Sequence, residues 1–140
     1  MSDVYRTLGT TVRLLRSRLD RALQSVGLRL GQLQVLRLLW EQDGLTPREL
    51  SERLGVEMPT VTRTVQRMLR DGLVRREAHP ADARSVCIFV APRGFELQAA
   101  VNDILRDETE SSLTGFSLAE REALVAFLER MSANASSEAR

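Results

Sequence analysis

The sequence has no lysine, one cysteine, one histidine and few aromatic side chains (four Phe, one Tyr, one Trp). Without lysine, all 20 cationic side chains are guanidinium groups. Codon usage in a GC-rich genome accounts for that bias. The planar guanidinium fork still suits phosphate and guanine wherever it is exposed. A single cysteine excludes a disulfide framework within the chain and fits a reducing cytosol. One histidine and one cysteine cannot make the usual nitrogen and sulfur metal site without several carboxylates, so neither metal nor cofactor is expected. Long hydrophobic runs are missing too. Arg6, Arg13, Arg16 and Arg18 interrupt the N-terminal apolar positions, so neither a signal peptide nor a membrane span is expected and the location expected is cytoplasmic. There is no glycine-rich phosphate loop, no G-x-S-x-G and no metal-ligand helix, and the acid pairs Asp107/Glu108 and Glu120/Glu122 read as solvated helix surface. An enzyme is not expected.

The 140 residues are 43% hydrophobic and 28% charged, which suits one globular domain with a real core. The net charge is only +1, and its distribution says more than its size. Residues 1–93 carry 16 Arg against 10 acids, whereas 94–140 carry 4 Arg against 9 acids. A basic first part followed by an acidic tail points to a polyanionic partner for the first part.

Hydrophobic spacing predicts a mainly helical chain. Tyr5, Leu8, Val12, Leu15, Leu19, Ala22 and Val26 step by threes and fours through a helix over 4–26, a seam for packing on another helix, closed by Gly27. Because such a short chain offers its long terminal helices few internal partners, exchange with a second copy is the favoured reading of that seam. A helix over about 31–42 turns Leu33, Leu36, Leu39 and Trp40 inward and stops at Asp43-Gly44. "TPRE" opens the next, with Thr46 as cap, Pro47 in the first turn, Glu49 completing a capping box and Gly55 as terminator. Pro59 then starts a helix that ends at Asp71-Gly72. Two short helices across a tight turn make a helix-turn-helix. "LVRREA" and "SVCIFV", joined by "HPADAR", read as a β-hairpin in which His79 is simply solvated. Pro92 opens a long helix to about Leu113, Ser117 caps a last one with Leu124, Phe127, Leu128 and Met131 inward, and "SANASSEAR" reads as a frayed end.

Within "MPTVTRTVQRML", Val61, Val65, Met68 and Leu69 form a buried stripe. Thr60, Arg63, Gln66, Arg67 and Arg70 occupy the opposite side, which carries no acid. On an isolated helix such a face reads as solvated surface. As the second helix of a helix-turn-helix it is the element that enters the major groove. Arg63 and Arg67 suit guanine edges or phosphates, Gln66 suits adenine, and Thr60 suits a phosphate near the helix start.

"LTPRELSERLGVEMPTVTRTVQRMLRDGLVRREAHPADARSVCIFVAPRG" resembles the core of the MarR family of bacterial winged-helix regulators, most specifically through "PTVTR", "GLV-x-R" and "D-x-R". The resemblance implies a mainly α fold with a small β-hairpin wing. A winged helix-turn-helix over 31–91 would bind double-stranded DNA, and helices over 1–30 and 92–135 would build a homodimer. It further implies a repressor of a pseudo-palindromic operator, with release by a small aromatic or phenolic effector as in many relatives. Arg84 at the wing would reach the minor groove or its phosphates, braced by Asp82. The candidate DNA-binding set is therefore Thr60, Thr62, Arg63, Gln66, Arg67, Arg70, Asp82 and Arg84. No motif marks an effector pocket; Trp40, Tyr5, Arg13 and Arg16 suit an aromatic acid only by their types and approximate placement. The chain departs from the family at Met58, where Ser is usual, and at Val90-Ala91, where Leu-Thr is usual. Two alternatives stand beside this reading. One is a winged helix that binds protein instead of DNA, and the other a redox-responsive regulator using Cys87. Sensors of oxidation in the family carry cysteine in the first helix, where this chain has none, so Cys87 reads as a small buried hydrophobe.

Overall fold

A computed structural model describes residues 3–138, in two compact units that meet between Arg106 and Asp107. In the first unit α1 (Val4–Leu23) begins at Asp3, whose carboxylate accepts from the Arg6 N–H at 3.0 Å, and a single 3-10 turn (Gln24–Val26) follows it. Helix α2 (Leu30–Glu41) is started by a side chain from its predecessor: Asp20 Oδ1 accepts from the Leu30 N–H at 2.9 Å and from Arg29 Nε at 3.1 Å. Helix α3 (Pro47–Leu54) carries the expected capping box, in which Glu49 N–H donates to Thr46 Oγ1 and Thr46 N–H donates to Glu49 Oε1, both at 3.1 Å. Helix α4 (Met58–Arg70) completes the helix-turn-helix.

Strands β1 (Val74–Ala78) and β2 (Val86–Val90) pair antiparallel, from Val74 opposite Val90 to Ala78 opposite Val86. The hairpin is not alone. Leu45 bridges to Ile88 on its other edge, through Ile88 N–H to Leu45 O at 2.8 Å and Gly44 N–H to Ile88 O at 3.0 Å. One oxygen of Asp43 accepts from both Gly44 N–H (3.2 Å) and Val90 N–H (2.8 Å). Gly44 has φ +79°, and a Cβ there would stand 2.8 Å from the Phe89 ring. The turn signal "DG" therefore also anchors the hairpin.

The core lies where the helix-turn-helix meets the hairpin: Leu36, Leu50, Val61, Met68, Leu73 and Ile88 are each at most 1% exposed. Burial of a leucine-sized side chain contributes about 1.5–3 kcal/mol, so this cluster fixes α4 against α2, α3 and the strands. Gly94 closes it, with Leu73 O only 2.5 Å and Val90 Cγ1 2.6 Å from where a Cβ would sit.

The long helix expected from Pro92 is interrupted. Helix α5 (Pro92–Glu96) and helix α6 (Gln98–Ser112) are separated at Leu97. The break coincides with a second demand on the backbone, because Gly94 O accepts from Trp40 Nε1–H at 3.2 Å. Leu97 keeps helical dihedrals, so the direction of the chain survives. In the second unit, which takes in the end of α6, helix α7 (Leu118–Glu138) starts with another capping box between Ser117 and Glu120. The Arg121 guanidinium donates to Glu110 at 2.8 Å. Helix α7 continues through most of the segment expected to fray. Ser137 Oγ donates back to Ala133 O at 3.0 Å, and the alanines between the polar residues favour helix. Ala139 and Arg140 lie outside the described residues.

Candidate nucleic-acid interface

The candidate surface follows from the burial pattern of α4. Val61, Val65 and Met68 are buried and Leu69 is half-buried. That stripe holds the helix by one side and leaves Thr60, Thr62, Arg63, Gln66, Arg67 and Arg70 exposed on the other. No acid lies between Met58 and Arg70. Among the described residues Arg63, Arg67 and Arg70 make no ion pair, in contrast to Arg29, Arg75, Arg84 and Arg121. Asp71, just past the helix, is engaged elsewhere: its carboxylate accepts from Gln32 at 3.3 Å and its carbonyl from Arg93 at 2.8 Å. An exposed row of uncompensated guanidinium groups costs self-repulsion, which a polyanion relieves.

The hairpin tip holds Asp82 and Arg84 together. Asp82 Oδ1 accepts from the Arg84 backbone N–H at 3.0 Å and from its Nε at 3.3 Å, so one carboxylate shapes the turn and orients the guanidinium. The Arg84 side chain is nevertheless 93% exposed. His79 is not the solvated bystander expected. It is half-buried, its Nδ1 accepts from Ala81 N–H at 3.0 Å, and its own N–H donates to Ser85 O at 3.0 Å, closing the loop. The Pro that follows it in the sequence suggests a simple turn, and a side-chain acceptor two residues back has no periodic signature.

The comparisons with known proteins bear on this arrangement. The pattern of the MarR family matches residues 28–86. The HTH-type transcriptional regulator Mb0904 of Mycobacterium bovis is 30% identical over 128 residues, 89% of this chain and 90% of that protein. The chain belongs to the MarR family. A second relative, the HTH-type transcriptional regulator TtmR of Methylorubrum extorquens, is 35% identical over 100 residues, 71% of this chain, and the match spans only 50% of TtmR. A MarR family transcriptional regulator of Listeria monocytogenes, solved in complex with 26mer DNA, superposes with a TM-score of 0.87 over 99% of this chain and 92% of that one. At 22% identity that likeness is one of fold.

These relatives are transcriptional regulators, not enzymes. Neither α4 nor α5 of this MarR-family chain starts with a side-chain cap. The residue that caps α4 is Glu57, and it makes no side-chain cap bond; with Met58 in place of the usual Ser, the first turn of α4 relies on backbone and Pro59 alone. Ala91 likewise gives α5 no side-chain cap. Cys87 is 5% exposed within β2, opposite Glu77. Tyr5 stands 92% exposed on α1, whereas Trp40 is half-buried with its indole N–H committed to Gly94. Among the described residues, no helix is long and apolar enough to cross a membrane.

Proposed function

We propose that this protein is a homodimeric, cytoplasmic repressor that binds a pseudo-palindromic operator in double-stranded DNA. The observation that carries this reading is the acid-free exposed face of α4, seated as the second helix of a helix-turn-helix beside a hairpin tipped by Arg84. In that reading Arg63, Gln66 and Arg67 face base edges in the major groove, and Thr60, Thr62 and Arg70 meet sugar or phosphate. Arg84, steadied by Asp82, enters the minor groove, whose negative potential favours arginine.

The dimer reading is supported by apolar side chains left in water by each terminal helix taken alone. Helix α1 exposes Val4, Tyr5, Val12, Leu14 and Leu15, and α7 exposes Leu118, Val125, Phe127, Leu128 and Met131. Concentrations of that kind mark interaction surfaces. The proposed division is therefore residues 31–91 for DNA and the segments 1–30 and 92–135 for dimerisation. A two-fold axis would place the two α4 helices on one side of the duplex, with half-sites about 10 bp apart, one helical turn, or a multiple. A small aromatic or phenolic effector that favours a different spacing of those helices is the proposed release signal.

A gel shift on the duplex upstream of the protein's own gene, with sedimentation of the same sample, tests the proposal. Retarded duplex and a dimeric mass are expected. A monomer, or equal affinity for the upstream duplex and a scrambled one, would refute it.

A further inference from the structure

Helix α4 is bordered by two clefts of opposite character. On one side Asp20, Arg29, Gly31, Thr64 and Arg67 line a space of about 320 Å³. There the Asp20 carboxylate already holds the Arg29 guanidinium, with Nη2 at 3.1 Å from Oδ2. On the other side Gln66, Leu69 and Arg70 of α4 and Arg76 of β1 line a space of about 550 Å³ that contains no carboxylate.

The alternation of β1 explains why Arg76 is left over. Successive strand residues point to opposite faces, so Arg75 and Glu77 share one face of the hairpin, where they pair with each other. The Arg75 guanidinium also lies 4.7 Å from the centre of the Phe89 ring. Arg76 is out of phase with both and shares the cleft with α4. Among the described residues neither Arg70 nor Arg76 makes an ion pair.

The cleft lies toward the C-terminal end of α4, where the helix dipole repels an anion. A phosphate held there needs a cation from outside the helix as well as one on it. Arg76 supplies the first and Arg70 the second.

We propose that this cleft seats the phosphodiester backbone of DNA, with Arg76 and Arg70 as its two cations. The proposal rests on the DNA-binding reading of α4 and adds to it Arg76, a residue on the strand and outside the recognition helix. A phosphate held in this way carries no sequence preference. It fixes how α4 lies in the groove, so that the base-reading residues meet their edges at the right depth.

The test is the salt dependence of binding, measured by fluorescence anisotropy with a labelled scrambled duplex of about 30 bp, three helical turns. Each phosphate that is no longer neutralised lowers the slope of log K against log salt by about 0.9. Arg76→Gln should therefore flatten the slope by about 0.9 for each protomer bound. Arg70→Gln, on the other wall of the cleft, should do the same. Arg76→Lys should restore most of the slope, because a point charge remains. Arg75→Gln removes a charge from the other face of the same strand and should leave the slope as in the wild type. Thermal melts of all four check that the fold is kept, and Arg70→Gln stands as the test if Arg76→Gln does not fold. If wild type binds and the slope of either glutamine variant in the cleft is unchanged, the cleft assignment is overturned while the recognition helix stands. An equal loss in Arg75→Gln also overturns it, since the effect would then follow net charge alone. If the wild type binds no duplex, the DNA-binding reading falls and this proposal with it.

Discussion

Gly94→Ala sets two effects against each other at one position. Gly94 lies in α5 with an ordinary backbone conformation, so alanine should gain about 1 kcal/mol in helix propensity and unfolded-state entropy. Sterics oppose it. The new Cβ would stand 2.5 Å from Leu73 O and 2.6 Å from Val90 Cγ1. The first neighbour is backbone, and that carbonyl is held in place by Ala91 N–H at 2.9 Å. Neither atom can swing away, so the overpacking cost belongs at the upper end of the usual range, about 3 kcal/mol. The net expectation is a destabilisation of about 2 kcal/mol. Gly31→Ala is the matched control, also a helical glycine, where the added Cβ meets only Thr64 Oγ1 at 3.9 Å. It should be stabilising by up to about 1 kcal/mol, since only the propensity and unfolded-state gain remains. Urea titrations of both variants against wild type, at matched protein concentration, read the two signs. A Gly94→Ala protein as stable as the Gly31→Ala one would refute the close packing of α5 on the strand ends.

Further expectations follow from the site and the caps. Arg67→Ala should cost about 1–3 kcal/mol for each base edge it reads and relax preference at one position in each half-site, whereas Arg84→Ala should weaken operator and scrambled duplexes alike; titrations on both duplexes separate the two. Leu15→Glu places a charge in the exposed apolar row of α1 and should shift sedimentation from dimer to monomer. Cys87→Ser should bind DNA as wild type does, and mild peroxide should leave both unchanged, because the thiol is buried; an oxidation response abolished by the serine would restore the redox reading. Hydrogen bonds from Thr46, the backbone N–H foremost, hold the Glu49 carboxyl below its ordinary 4.5. Its stabilising effect is therefore complete above pH 4.5 and lost as pH falls below that towards the lowered value, and Glu49→Gln should make the acid melting profile shallower in that window.

The sequence is most legible where one residue type has one local use. Thr46 with Glu49, and the glycines at 27, 55 and 72, mark helix ends by their own conformational preferences, and the structure places ends there. The buried stripe Val61, Val65 and Met68 is legible because helical spacing repeats. What escapes depends on pairs far apart in the chain. The Leu45–Ile88 bridge and the Trp40–Gly94 bond join residues more than 40 positions apart, and nothing local at either end announces them. Arg76 enters the sequence reading only within "LVRREA" and as the last residue of "GLV-x-R", with no role attached to it, for a related reason. Beside Arg75 and Glu77 it reads as ordinary strand polarity, and only the packing of β1 beside α4 brings it next to Gln66, Leu69 and Arg70.

The root of the hairpin has a mechanical consequence. Three bonds, to Asp43, Gly44 and Leu45, clamp β2 at Ile88 and Val90 to the connection between α2 and α3. The hairpin is thus a cantilever fixed at its base, with Arg84 near the free end. The compliance of a cantilever grows steeply with its unsupported length, so the stretch beyond the clamp sets how far the arginine can wander. Residues added to "HPADAR" would loosen the aim of Arg84 without touching α4, and residues removed would stiffen it at the expense of reach. Chain length in that turn is accordingly a tuning variable that leaves every side chain of the proposed interface in place.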